Sequence, residues 1–60
     1  MTDKLQLLDL RDVTRLTTLH HATIYRMIKR DEFPRQIRIS RKRVVWRASE
    51  VEAWINRQQT

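Results

Sequence analysis

Apolar residues recur along this chain with two different periods. In Leu8-Asp9-Leu10-Arg11-Asp12-Val13-Thr14-Arg15-Leu16, the residues Leu10, Val13 and Leu16 return every third position, a helical stripe. Asp9 is placed to cap that helix, and Asp12 suits the positive end of its dipole. The predicted helix covers residues 10–17. Thr17-Thr18 interrupts it, because two β-branched residues with backbone-competing hydroxyls are poor helix formers. A second helix is predicted from His21 to Arg30. Ile24, Met27 and Ile28 share one face; Ala22, Arg26 and Lys29 lie opposite, with Tyr25 and Arg30 at the borders. Asp31-Glu32 closes it before Phe33-Pro34, since a residue preceding proline is pushed out of helical geometry.

The period then changes. Ile37 and Ile39 alternate with Gln36 and Arg38, and Val44-Val45-Trp46-Arg47 forms a second short run with Val44 and Trp46 facing inward. Such runs read as strands. Together they predict a hairpin tipped by Arg41-Lys42-Arg43. The chain has no glycine, so a tight type I′ turn is disfavoured and a longer loop is expected. The last helix is predicted from Ala48 to about Gln58, with Ser49 and Glu52 as a capping box or a start one residue earlier. Val51, Trp54 and Ile55 form its stripe. The expected core is Ile24, Ile28, Ile37, Trp46, Val51 and Trp54 with Leu10, Val13, Leu16 and Leu19. The fold class is mainly α with a small β-hairpin, in the order helix, helix, hairpin, helix. Residues 1–6 read as a loose polar tail and 7–60 as one domain.

Charge sharpens this picture. Thirteen Lys and Arg against seven Asp and Glu leave +6. Residues 26–47 hold nine of those bases and two acids, a net of +7, so the excess sits in one central block between near-neutral ends. A block of this kind attracts a polyanion. Two short helices joined by a tight turn form a helix-turn-helix, whose second helix enters the DNA major groove led by its N-terminal residues. Those residues include His21, Ala22, Thr23, Tyr25 and Arg26, followed by Lys29 and Arg30. Small Ala22 permits close approach, Thr23 can bond a phosphate, and Arg26 can pair bidentately with guanine. Beside such a motif the hairpin becomes a wing, in which Arg38, Arg41, Lys42 and Arg43 lie along phosphates or reach the minor groove. The plainer alternatives are a helical hairpin with a solvated basic face and an ordinary charged turn.

Other chemistry finds little support. Sixty residues leave small room for a deep pocket. The acids are scattered, the serines lack a nearby base, and no glycine loop exists to cradle phosphates. No enzyme and no cofactor are therefore expected. Cysteine is absent, which excludes a disulfide staple. His20-His21 lacks an evident third ligand, and adjacent residues on a helix do not face one another, so no metal site is expected. Trp46 and Trp54 could stack on single-stranded nucleic acid, but each sits on the apolar side of its element. No run approaches a membrane span and no signal-peptide order opens the chain, so a cytoplasmic location without membrane or small-molecule partners is expected.

The ordered set Leu10-Arg11-Asp12-Val13, Leu16-Thr17-Thr18-Leu19, Thr23-Ile24-Tyr25-Arg26-Met27-Ile28, Glu32-Phe33-Pro34-Arg35 and Trp46-Arg47-Ala48-Ser49-Glu50-Val51-Glu52-Ala53-Trp54-Ile55 resembles the AlpA family. It spans about residues 7–58. The resemblance implies a MerR-like winged helix-turn-helix of a prophage regulator. Members act as transcriptional regulators of mobile elements or as excisionases, which bind and bend DNA near an attachment site and steer an integrase without bond chemistry of their own. It implies that His21, Ala22, Thr23, Tyr25 and Arg26 lie on the recognition helix and Arg41, Lys42 and Arg43 on the wing. Double-stranded DNA is then the main partner, with integrase, RNA polymerase and further copies of the chain on DNA as candidate contacts. The chain departs from the family pattern at Thr18 and Ser40, where glycine is usual, and at His20, where serine is usual. The first suggests a turn without a left-handed residue or one that tolerates strain, and the last a weaker cap. The competing reading is a protein–protein adaptor of an integrase or polymerase complex with only general polyanion affinity.

Overall fold

The computed structural model describes residues 6–58. Its elements are β1 (Leu7–Leu8), α1 (Leu10–Thr17), α2 (His21–Lys29), β2 (Ile37–Ser40), β3 (Arg43–Arg47) and α3 (Ala48–Arg57). The helix-turn-helix, hairpin and last helix stand as the periodicities predict. One strand was not foreseen. Leu7 and Leu8 pair antiparallel with Arg47 and Trp46, so the hairpin becomes a three-stranded sheet of order β1-β3-β2. The loose tail expected for residues 1–6 lies outside the described residues except for Gln6, whose carbonyl accepts the Ala48 N–H at 3.0 Å.

α1 begins as expected. The Asp9 carboxylate accepts the Asp12 N–H at 2.8 Å, and the Asp12 carboxylate accepts the Asp9 N–H at 3.3 Å. Both ends of this capping box are acidic, which suits the helix dipole. The turn after α1 takes the strained alternative: Thr18 adopts φ 63°, a left-handed conformation costly for a β-branched residue. Its neighbour compensates, since the Thr17 hydroxyl donates to the Val13 carbonyl at 2.8 Å and accepts the Leu19 N–H at 3.2 Å. At the end of α2, Asp31 takes φ 59°. The Asp31 N–H reaches the Ile28 carbonyl and the Glu32 N–H reaches the Met27 carbonyl at 2.8 Å, a Schellman closure with aspartate in the usual glycine position.

The hairpin differs from expectation at its tip. Ser40 pairs with Arg43, leaving the two-residue turn Arg41-Lys42 rather than a longer loop. Neither residue has a positive φ, so the turn is not type I′. The register shifts between Arg38 and Ser40, and this bulge at Ile39 accommodates the turn. Ile39 is thereby left 54% exposed. α3 starts at Ala48 with Arg47 as its cap residue and no side-chain cap bond, so the Ser49–Glu52 box does not form. The Gln6 carbonyl takes the first orphan amide instead.

The core cluster is Val13, Ile24, Ile28, Phe33, Trp46 and Val51, with Leu8, Leu10, Leu19, Tyr25, Met27, Val44, Trp54 and Ile55 packed against it. Leu16 was expected there but is 53% exposed. Three residues advance a helix about 60° short of a full turn. In the series Leu10, Val13, Leu16 the middle member is fully buried and the flanks rotate outward. Ile37 is only half-buried and lies outside the cluster. It pairs with Val45, and cross-strand partners share a face of the sheet, the one opposite that of Trp46. Both indoles anchor the segment after α2. Trp46 Nε1 donates to the Pro34 carbonyl at 3.0 Å and Trp54 Nε1 to the Glu32 carbonyl at 2.8 Å. Phe33 meets Trp54 edge-on, with ring centroids 4.8 Å apart.

Candidate nucleic-acid interface

α2 divides into two faces. Ile24 and Ile28 are buried, and Met27 packs against the core. His21, Ala22, Arg26, Lys29 and Arg30 are exposed, and Thr23 and Tyr25 are half-buried. The burial of the apolar face fixes which side chains the helix offers outward. Arg26 and Lys29 also sit in its last turn, where cations suit the negative dipole end. Tyr25 leans on Trp46, with centroids 6.3 Å apart, so its ring is partly structural.

His20 is the cap residue of α2 and supplies the cap bond with its ring. Its Nδ1 accepts the Ala22 N–H at 3.1 Å, and its ring lies 4.2 Å from that of His21. The expected weakening of the cap is met by a ring nitrogen in place of a hydroxyl. With Nδ1 as acceptor the neutral ring carries its proton on Nε2.

The wing is exposed throughout its tip: Arg38, Ile39, Ser40, Arg41, Lys42 and Arg43 all face solvent. Arg38 folds back over the turn. Its guanidinium donates to the Ser40 carbonyl at 3.4 Å and to the Arg41 carbonyl at 3.1 Å. Its immediate partner is therefore the turn itself, and its positive charge lies across the turn. Arg41, Lys42 and Arg43 make no ion pair among the described residues, where the pairs are Arg15 with Asp12 and Arg35 with Asp31.

Sequence reasoning missed Arg11. Pairing of β1 with β3 carries the start of α1 to the wing, and Arg11 joins Tyr25, Lys42 and Arg43 around a cleft of about 500 Å³ that also contains Asp9. Periodicity holds no signal for this, because it depends on a two-residue strand. Asp9 is held below the usual carboxylate range, chiefly by the Asp12 backbone N–H and further by the Asp12 side chain and by Arg11 and Arg43; partial desolvation opposes them. A second depression, of about 490 Å³, lies between the segment after α2 and α3, where Glu32, Glu50 and Trp54 line it. No described helix is long and apolar enough to cross a membrane.

A helix-turn-helix backed by a three-stranded sheet, with a basic hairpin beside an exposed helix face, is a small winged helix-turn-helix domain. The chain belongs to the AlpA family of prophage regulatory proteins: the family model described as the prophage CP4-57 regulatory protein (AlpA) matches residues 6–59. The family description is that of a regulatory protein. The chain is also similar to ORF88, an uncharacterised protein of Enterobacteria phage P4, with 43% identity over 44 residues. That match covers 73% of this chain and 50% of the phage protein, so the chain spans about half the length of this relative.

Proposed function

We propose that the protein binds double-stranded DNA sequence-specifically within a mobile element and acts as an excisionase, a transcriptional regulator, or both. The observation that carries this reading is the exposed face of α2. His21, Ala22, Arg26 and Lys29 are presented outward by a buried apolar back, beside a basic hairpin whose tip makes no ion pair among the described residues. In this reading residues 7–60 work as one domain. α2 enters the major groove, Ala22 gives close approach, Arg26 reads a guanine edge, and Thr23, Lys29 and Arg30 hold the backbone. Arg41, Lys42 and Arg43 lie along phosphates, while Arg38 stiffens the wing and adds charge. The protein contributes position and bending, and any bond chemistry belongs to an integrase.

A domain of this size buries about 600–1,000 Å² on DNA. Several copies on phased sites, or contact with integrase or RNA polymerase, would supply the remaining affinity. The location that fits this role is the cytoplasm. The test is a footprint on the DNA around the protein's own gene and any nearby attachment site, at moderate salt. Protection of phased repeats beside the attachment site, with bending, supports the excisionase; protection confined to a promoter supports the transcriptional regulator. Protection no greater than on random DNA overturns the reading and leaves the adaptor alternative, for which the depression lined by Glu32, Glu50 and Trp54 is the available surface.

A further inference from the structure

The cleft between α1 and the wing gathers cations from separate parts of the chain. Arg11 comes from α1, and Lys42 and Arg43 come from the wing. All three are exposed, and none makes an ion pair among the described residues. The one carboxylate in the cleft, Asp9, is already engaged by the Asp12 N–H at 2.8 Å. It counters one of the three positive charges and leaves a surplus. Tyr25 forms the inner wall, its ring held by Trp46 and its hydroxyl without a hydrogen bond among the described residues. Arg11 and Arg43 both line this cleft beside Asp9. Unpaired cations converging on a cleft with a free hydroxyl donor match a single tetrahedral dianion or monoanion better than a flat base edge.

We infer that this cleft binds one backbone phosphate of duplex DNA, with Arg11 as a DNA-contacting residue alongside Lys42 and Arg43 and with the Tyr25 hydroxyl as a neutral donor. The inference rests on the DNA-binding reading and deepens it. It gives the strand that passes between α2 and the wing a fixed point, so that the register of α2 in the groove is set from α1 as well. A phosphate contact of this kind positions the protein and carries no sequence information.

The test uses the full chain, the duplex protected in the footprint, and a random duplex, titrated over a range of salt. Arg11→Gln is expected to weaken both duplexes equally, by about tenfold, and to reduce the slope of log affinity against log salt by about 0.9. The ratio of the two affinities should stay at the parent value, as should the unfolding temperature, because Arg11 is exposed and unpaired. Arg11→Lys should restore most of the slope. Tyr25→Phe should weaken both duplexes by roughly two- to fivefold with the slope unchanged, since a neutral donor releases no counterion. Arg57→Gln, at an exposed position of α3, should match the parent. An Arg11→Gln protein with the parent's affinity and slope overturns the inference and leaves the DNA reading intact. A loss confined to the protected duplex also overturns it, because Arg11 would then read a base. A parent protein that binds neither duplex overturns the DNA reading itself.

Discussion

α2 and the wing carry the same sign of charge and are held in opposite ways. α2 is backed by the core: Ile24 is fully buried and Ile28 is 9% exposed. From Arg38 to Arg43 the wing has no buried side chain at all. It is held by its strand ladder, a bulge at Ile39 and the two bonds from Arg38 to its own turn. A base edge must be met at a fixed distance and angle, which asks for a rigid mount. A phosphate accepts charge from many directions. On the proposed DNA-binding reading, the division of support matches a division of labour, with reading on α2 and holding on the wing.

The strongest way to break that comparison is through Trp46, a residue that links the two regions. Trp46 stands on β3, is fully buried, touches Tyr25 of α2 and anchors Pro34. Trp46→Ala should cost about 3–5 kcal/mol. A domain of this size has only about that much in total. Circular dichroism with a urea titration should show helix and DNA binding lost together. A helical signal that survives would mean that the helix pair stands without the sheet.

The next effect separates reading from holding. Arg26→Ala should weaken binding to the cognate duplex by about 1–3 kcal/mol and leave the fold intact. The cognate-to-random ratio is the decisive number; if it does not move, Arg26 reads no base. Arg41→Gln and Lys42→Gln should act differently. Each should weaken all sequences alike and lower the salt slope by about 0.9. Neither removes the brace, because Arg38 holds the backbone carbonyls of Ser40 and Arg41. A wing variant with an unchanged slope would place the wing off the DNA.

The two regions also differ in how far they could be read from the chain. Helix-turn-helix order rests on local spacing, so α1, α2 and the outward basic face of α2 are legible from residues 10–30. Even there, short length misleads: α1 has too few turns to average out its rotation, and Leu16 swings into solvent. The sheet rests on pairing across the chain. Leu7-Leu8 is too short to show a period, yet it adds a strand, caps the first amide of α3 through Gln6, and carries Arg11 to the wing. The bulge at Ile39 and the start of α3 without a side-chain cap escape for the same reason. His20 illustrates a subtler case, in which the residue departs from the family pattern while its ring nitrogen keeps the bond that the pattern serves.

A smaller effect concerns the glycine-free turns that flank α2. Thr18 and Asp31 both take left-handed backbone, but aspartate tolerates it and threonine does not. Thr18→Gly should raise stability by roughly 0.5–1 kcal/mol, after the added freedom of glycine in the unfolded chain is counted. Asp31→Gly should change little, because the exposed ion pair it loses to Arg35 is worth little. Equal responses in thermal unfolding would mean that Thr18 carries no strain of its own.

The smallest effect is electrostatic and lies where α1 meets the wing. Asp9 is held below the usual carboxylate range, first by the Asp12 N–H, then by the Asp12 side chain and the charges of Arg11 and Arg43, against some desolvation. The unfolded chain therefore takes up this proton at a higher pH than the folded one does. It follows that the contribution of Asp9 is fully present above about pH 4, the ordinary carboxylate value, and fades as pH falls through the lower folded value. Thermal unfolding between pH 7 and pH 2 should show this as a decline confined to the acid end. Asp9→Asn separates the cap from the charge, since asparagine caps a helix about as well and does not titrate there. The variant should keep the parent's helix content at neutral pH and lose part of the acid decline. It should also bind duplex DNA more tightly, because the cleft then holds Arg11, Lys42 and Arg43 without an opposing carboxylate. An undiminished acid decline would assign the titration to another carboxylate, and unchanged DNA affinity would put Asp9 too far from the strand to matter.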